Sequence, residues 1–172
     1  KTAVVDEVSS LTFQELGDQV SRVAGFLRSL GVGRGDVVSL QLPNIKEFVV
    51  SHLAAERLGA ITNPMLSQYR KGDIEKQIIP LNTKVAIVPV EYRKHLHAEM
   101  WSEIVRDRGL EGELRIIAVG EGELPKGALR FSDAVQSPEA VEERGFAPQG
   151  DETCIIIFTS GTVASKGVMH SH

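Results

Sequence analysis

The 172-residue chain has little of what marks several protein classes. Its single cysteine, Cys154, excludes an internal disulfide and any metal site built from several cysteines. Its 19 basic residues do not outnumber its 23 acidic ones, and the pI is near 5.8, so it lacks the basic surface typical of nucleic-acid-binding domains. No apolar run approaches the roughly 20 residues that a membrane span needs. We therefore expect no nucleic-acid partner, no membrane span and a cytoplasmic location.

Apolar residues make up 42% of the chain and charged residues 24%, a balance typical of a folded domain. The clearest helix is predicted over residues 12–30, where apolar residues recur every three or four positions. Thr12 and Glu15 have the spacing of a capping box, and Gly31 is placed to end the helix in the left-handed conformation. This segment is predicted to present one apolar stripe to a core.

Strand-like and helix-like segments alternate along the rest of the chain. Strands are predicted over 36–42, 60–63, 84–88, 114–119 and 153–158. Helices are predicted over 44–58 with Asn44 as cap, over 72–79 ended by Pro80, and from 96 to a stop at Gly109. The strands are nearly continuous apolar runs, which is typical of a parallel sheet covered on both faces. The fold class predicted is α/β, a three-layer sandwich with a largely parallel sheet flanked by helices. Residues 121–150 are predicted as a surface excursion with a small helix after Pro138.

The segment 159–167 follows the last predicted strand directly and is rich in hydroxyl side chains, with two glycines and Lys166. In open α/β sheets, ligands bind beyond the carboxyl ends of strands. Glycines let backbone N–H groups approach an anion, hydroxyls donate hydrogen bonds, and a lysine adds a positive charge, as a polyphosphate requires. The composition also fits an ordinary solvated turn. It is not a Walker A loop, because the order is Ser-Lys-Gly rather than Gly-Lys-Ser/Thr.

Several ordered motifs resemble one family. Residues 155–162 (IIIFTSGT) and 166–172 (KGVMHSH) closely resemble the phosphate-loop signature of the acyl-adenylate-forming enzymes, the AMP-binding superfamily. Further segments that match the family's landmarks in order are 11–16 (LTFQEL), 30–38 (LGVGRGDVV), 42–44 (LPN), 57–60 (RLGA) and Asn63-Pro64. The resemblance thus covers nearly the whole chain.

This resemblance implies that residues 1–172 form one α/β domain, a Rossmann-like part of the large N-terminal domain of a longer enzyme whose C-terminal lid lies elsewhere. It implies an ATP-dependent carboxylic acid–CoA ligase with ATP, Mg²⁺ and CoA, and it leaves the oligomeric state open. The residues that it implies for phosphate contact are Thr159, Ser160, Gly161, Thr162, Lys166 and Gly167. It assigns no catalytic residue and no metal ligand within this chain.

One departure from the family pattern keeps alternatives open. Only three residues separate Thr162 from Lys166, one fewer than in the family, and the second glycine and the proline are missing. A non-catalytic α/β binding module with a degenerate loop is therefore one alternative, and an adenylation domain that loads a carrier protein is another. The stretch 69–71 and the ending of the chain look most like medium-chain, alicyclic or aryl acid–CoA ligases.

Other polar motifs receive structural interpretations. The glycines within 31–35 follow a predicted helix and precede a strand, so they are interpreted as a turn rather than a dinucleotide fingerprint. His95 and His97 are expected on a solvated helix face. His170 and His172 have no third ligand nearby in the sequence, so no metal site is predicted there.

Overall fold

A computed structural model describes residues 1–141, 150–158 and, for the backbone alone, 167–171. The elements, in chain order, are β1 (Thr2–Val5), β2 (Ser10–Thr12), α1 (Phe13–Ser29), β3 (Val37–Leu40), α2 (Lys46–Arg57), β4 (Ile61–Pro64), α3 (Lys71–Leu81), β5 (Val85–Pro89), β6 (Glu91–Tyr92), β7 (His95–Leu96), α4 (His97–Asp107), β8 (Arg115–Val119), β9 (Leu129–Arg130), α5 (Phe131–Val135), β10 (Thr153–Phe158) and β11 (Gly167–Ser171). The five strands and the first four helices that the sequence predicted are all present, and the structure adds further short elements, which are β1, β2, β6, β7, β9, α5 and β11.

Among the described residues, seven strands form one sheet in the order β11-β10-β4-β3-β5-β8-β9. Every neighbouring pair is parallel except β10 with β11, which are antiparallel. The pairs β1–β2 and β6–β7 form two separate antiparallel ribbons. The predicted α/β class with a largely parallel sheet is confirmed.

Side chains alternate along the central strands between two helical layers. In β5, Val85 and Ile87 pack into a core with α1, α2 and α5, whereas Ala86 and Val88 pack into a second core with α3 and α4. The chain passes from β3 to β4 on one side of β3 and then returns to β5 on its other side. Between β3 and β5 the connections therefore leave in opposite directions, which opens a crevice at the carboxyl ends of these strands.

The start of α1 follows the sequence prediction. The Glu15 N–H donates to Thr12 Oγ1 at 3.2 Å, and the Thr12 N–H donates to Glu15 Oε2 at 2.8 Å, which together form the capping box. Gly31 ends the helix region with φ of +84°. Both ends of this helix are thus set by residues within or next to it.

The start of α2 differs from the prediction, because Asn44 does not cap it. The helix begins at Lys46, and its N-cap residue, Ile45, makes no side-chain cap. Asp6, in the turn between β1 and β2, accepts from the Lys46 N–H at 3.1 Å through Oδ2. Hydrogen bonds from the Lys46, Ser9 and Val8 N–H groups lower the pKa of Asp6 to about 2. The cap comes from a residue 40 positions away, which local spacing cannot indicate.

One further boundary was predicted wrongly, and the predicted surface excursion contains two elements that the sequence did not indicate. Pro80 does not end α3, which continues to Leu81 and is closed by Asn82 at φ of +49°. Pro80 cannot donate a backbone hydrogen bond, but the Asn82 N–H donates to the Ile79 carbonyl at 3.2 Å and the Thr83 N–H to the Ile78 carbonyl at 3.2 Å, and these bonds close the last turn. Within the predicted surface excursion the structure places β9 and α5, while no helix follows Pro138 as far as residue 141; the rest of that predicted helix lies outside the described residues.

Within the described part of the chain, no helix combines the length and hydropathy that a membrane crossing requires.

Candidate functional site

A cleft of about 710 Å³ opens at the carboxyl ends of β3, β4, β5 and β10. The lining residues are Leu42, Pro43, Asn44, Phe48, Pro64, Met65, Leu66, Ser67, Gln68, Tyr69, Arg70, Gln77, Tyr92, Arg93, His97, Ile157 and Phe158. The cleft includes the crevice where the connections diverge, the usual ligand position in an open α/β sheet.

The charges that line this cleft have one sign. Arg70 and Arg93 are its cationic side chains, and none of the lining residues that the structure describes is a carboxylate. The Arg93 guanidinium lies 5.3 Å from the centre of the Tyr92 ring, and Arg70 donates to the Ser67 and Tyr69 carbonyls. Apolar walls with unopposed cations favour an anionic ligand with an apolar part.

Gln41 makes hydrogen bonds to residues that line the cleft. Its side chain is fully buried, and Nε2 donates to the Leu66 carbonyl at 3.2 Å and to the Tyr69 carbonyl at 3.0 Å. Its Oε1 accepts from Trp101 Nε1 at 2.6 Å. An indole N–H can only donate and a carbonyl can only accept, so both ends fix the same amide orientation. One side chain directly after β3 therefore joins the loop after β4 to α4.

The expectation of a solvated face for His95 and His97 is wrong for His97, whose side chain is 1% exposed. The two rings lie edge to face with centres 4.8 Å apart. His97 Nδ1 lies 3.5 Å from Gln41 Oε1, which accepts, so the network assigns the proton of the neutral ring to Nδ1. Nε2 is then an acceptor, and it is buried without a hydrogen-bond partner among the described residues.

We expect the His97 ring to make folding sensitive to acid. Burial, with smaller contributions from His95 and Arg70, lowers the pKa of His97 to about 4. The unfolded chain, with a histidine pKa of about 6.5, binds the proton more readily between these values, so stability falls as the pH drops from 6.5 to 4. In urea titrations the parent should lose on the order of 2 kcal/mol more than His97→Asn over this range. The same pH dependence in both proteins would contradict the assignment.

The predicted phosphate-contacting residues Thr159, Ser160, Gly161, Thr162 and Lys166 lie outside the described residues. Gly167, the last of the set, begins β11 and is paired with Phe158, the last residue of β10. Phe158 and its neighbour Ile157 line the cleft. Phe158, which precedes the predicted phosphate segment, and Gly167, its last residue, therefore lie side by side at the carboxyl end of β10.

No metal site is evident among the residues that the structure describes, where no three His, Cys, Asp or Glu side chains are grouped to hold an ion. His170 lies in β11, of which only the backbone is described, and His172 lies outside the described residues. Cys154 is buried in β10, and this burial raises the pKa of its thiol. Cys154 is therefore a core residue.

Sequence reasoning missed Gln41 and His97 as parts of the site. Gln41 carried a usable signal, because it is a polar residue within the apolar run 36–42 and therefore needed a buried partner. His97 carried none, since an isolated histidine at the start of a helix is compatible with either face. The glycines within 31–35 form a turn, as predicted, and Gly35 has φ of +82° just before β3.

The family model described as "AMP-binding enzyme" matches residues 1–172. Acetyl-coenzyme A synthetase 2 from Zygosaccharomyces bailii is 34% identical over 172 residues, and 4-coumarate–CoA ligase 1 from Solanum tuberosum is 29% identical over 162 residues. Each match covers 94% of this chain, but only 25% and 28% of the respective relative. The chain therefore spans about a quarter of the length of these relatives.

Solved structures give the same picture. The match to an anthranilate CoA ligase in complex with anthranoyl-AMP covers all of this chain and 32% of the ligase chain, with a TM-score of 0.80 and 26% identity. An acetoacetyl-CoA synthetase from Streptomyces lividans matches 95% of this chain and 26% of its own, with a TM-score of 0.83 and 25% identity.

Proposed function

We propose that this chain, which belongs to the AMP-binding enzyme family, is the phosphate-binding part of an ATP-dependent carboxylic acid–CoA ligase. The observation that carries the proposal is the family match over all 172 residues, together with Phe158, the last residue of β10, which lines the cleft and immediately precedes Thr159 in the sequence. We further propose that residues 1–172 are a piece of the large N-terminal domain and act together with a C-terminal lid that lies outside this sequence. A cytoplasmic location fits this proposal, since ATP and CoA are available there.

The proposed reaction has two steps. The carboxylate of the acid attacks the α-phosphorus of ATP, which forms an acyl-adenylate and releases pyrophosphate. The thiol of CoA then attacks the acyl carbon, which forms a thioester and releases AMP and the thiol proton. In both steps the demand on the protein is to place charged groups and neutralise developing charge.

This chain would bind pyrophosphate, the leaving group of the first step. Hydroxyls, backbone N–H groups and one ammonium group would hold the β- and γ-phosphates. The residues that would supply them are Thr159, Ser160, Gly161, Thr162, Lys166 and Gly167. Charge-assisted contacts of this kind orient pyrophosphate for departure in line with the attacking carboxylate. Mg²⁺ would reach the site with ATP and shield its phosphates, and no residue described here is assigned as its ligand.

A second candidate function rests on a specific observation. Only Val163, Ala164 and Ser165 separate Thr162 from Lys166, one residue fewer than the family pattern, which shifts each later backbone group by up to about 3.5 Å along the chain. A loop displaced in this way would leave a binding module with the same fold and no turnover. The flanking motif KGVMHSH, which matches the family in full, favours the ligase.

Acid-dependent exchange of labelled pyrophosphate into ATP by the full-length protein tests the proposal. We expect exchange with at least one member of a panel of short-chain, medium-chain and aryl acids, followed by AMP and thioester formation when CoA is added. The isolated 172-residue chain should show no exchange above a blank. Full-length protein that binds ATP but makes neither acyl-adenylate nor AMP with any acid would favour the non-catalytic module. A thioester formed only on a carrier protein would favour the adenylation-domain alternative.

A further inference from the structure

The backbone pairing between β4 and β10 is short. Thr62 opposite Ile155 is the one registered pair between them in the described residues, whereas β4 pairs with β3 at four positions. The strand that leads to the proposed phosphate segment is therefore held to the parallel sheet by little main-chain hydrogen bonding.

The sequence of β4 explains this short ladder. The Ile61 N–H donates to Asp36 and the Met65 N–H donates to Leu40, so the odd-numbered backbone groups of this strand point towards β3. Because N–H groups alternate along a strand, those of residues 62 and 64 point the other way, towards β10. Residue 64 is proline and has no N–H to offer.

One side chain supplies the donor that is missing at residue 64, and a second adds a hydrogen bond at residue 62. Asn63 Nδ2 donates to the Ile156 carbonyl at 3.0 Å, and Thr62 Oγ1 donates to the Cys154 carbonyl at 3.4 Å. In a regular parallel ladder with Thr62 opposite Ile155, the Ile156 carbonyl would accept from residue 64. The amide of Asn63 thus takes the position of the N–H that Pro64 lacks.

The Asn63 amide is itself held in a fixed orientation. Its side chain is fully buried, and its Oδ1 accepts from Ser39 Oγ at 3.3 Å, while Ser39 Oγ also lies 2.9 Å from Thr83 Oγ1. Nδ2 additionally lies 3.4 Å from Gln77 Oε1, an acceptor, so a flipped amide would lose its partners at both ends. A rigid donor of this kind sets where β10 lies along its own axis.

We propose that Asn63 is a positioning residue for β10, and through it for the segment that begins at Thr159. Its effect on ATP binding rests on the proposed function. A shift of β10 would move Phe158, the residue from which the phosphate-contacting segment begins, while the cleft residues that follow β3 and β4 would keep their place.

The test compares Asn63→Leu with Thr83→Val in the full-length protein, since Thr83 belongs to the same buried network through Ser39 and makes no hydrogen bond to Asn63 or β10 among the described residues. Hydrogen–deuterium exchange of the 153–158 peptide should be about tenfold faster in Asn63→Leu, the effect of one buried hydrogen bond, and nearly unchanged in Thr83→Val. Adding Pro64→Ala restores a backbone N–H and should bring the exchange rate back towards that of the parent. The variant Asn63→Ala gives the same comparison if the leucine variant does not fold.

A kinetic measurement on the same variants gives a second readout. KM for ATP should rise about tenfold in Asn63→Leu while KM for the acid stays within twofold, and Pro64→Ala should rescue it. Equal exchange of the β10 peptide in Asn63→Leu and the parent, or no rescue by Pro64→Ala, would overturn the inference. A parent without acid-dependent ATP turnover would overturn the proposed function instead, and the exchange data would still decide the role of Asn63.

Discussion

Replacing Gln41 by leucine is expected to lower the free energy of unfolding by about 3–5 kcal/mol. The change leaves the Trp101 N–H without its acceptor and removes the donor that the Leu66 and Tyr69 carbonyls share. A buried donor that loses its partner costs about 1–3 kcal/mol, and several such losses occur in one network. Urea denaturation followed by tryptophan fluorescence measures the effect, because the chain has one tryptophan.

Gln77→Leu is the matched control for this substitution. Gln77 is another nearly fully buried glutamine, and its Oε1 accepts from Asn63 at the long distance of 3.4 Å. Its replacement should cost about 1 kcal/mol or less. Equal losses for the two variants would mean that burial of a glutamine, rather than the network around Gln41, determines the effect.

Lys166→Ala in the full-length protein should reduce kcat/KM for ATP by about 10- to 150-fold. The proposed contact is a charge-assisted hydrogen bond to phosphate, which contributes about 1.5–3 kcal/mol, and about 1.4 kcal/mol corresponds to a tenfold change in rate. KM for the acid should change little, because the lost charge faces the leaving group. Initial rates at varied ATP and saturating acid and CoA give the value.

Lys76→Ala, at an exposed position on α3, controls for the loss of a positive charge from the surface. Its kcat/KM for ATP should stay within twofold of the parent value. If Lys166→Ala behaves like Lys76→Ala, Lys166 does not contact phosphate, and the solvated-turn interpretation of segment 159–167 gains support.

The features that sequence predicted well are those set by neighbouring residues. They depend on residues close together in the sequence. Examples are the capping box of Thr12 and Glu15, the end of the helix at Gly31 and the strand 153–158. The apolar run of that strand led us to expect cover on both faces, yet Ile157 is 42% exposed in the described structure. A run of apolar residues does not show whether the end of a strand is covered by helices or lines a cleft.

The features that sequence could not predict join distant parts of the chain. Asp6 caps a helix that begins 40 residues later, and the partners of Gln41 lie 25 to 60 residues away. Each of these residues is an ordinary polar residue in its local sequence, and only the folded arrangement determines which donor it meets. The phosphate segment was predicted through its resemblance to a family, because its composition alone equally describes a turn.

The placement of β10 beside β4 has a consequence for synthesis of the chain on the ribosome. Thr62 and Cys154 are 92 positions apart, so β4 is an edge strand for about 5–20 s of translation before its partner emerges. An open edge with regularly spaced N–H groups invites pairing with other nascent chains. Pro64 removes one donor from that edge and ends the strand early, which is how natural sheets protect an exposed edge against aggregation.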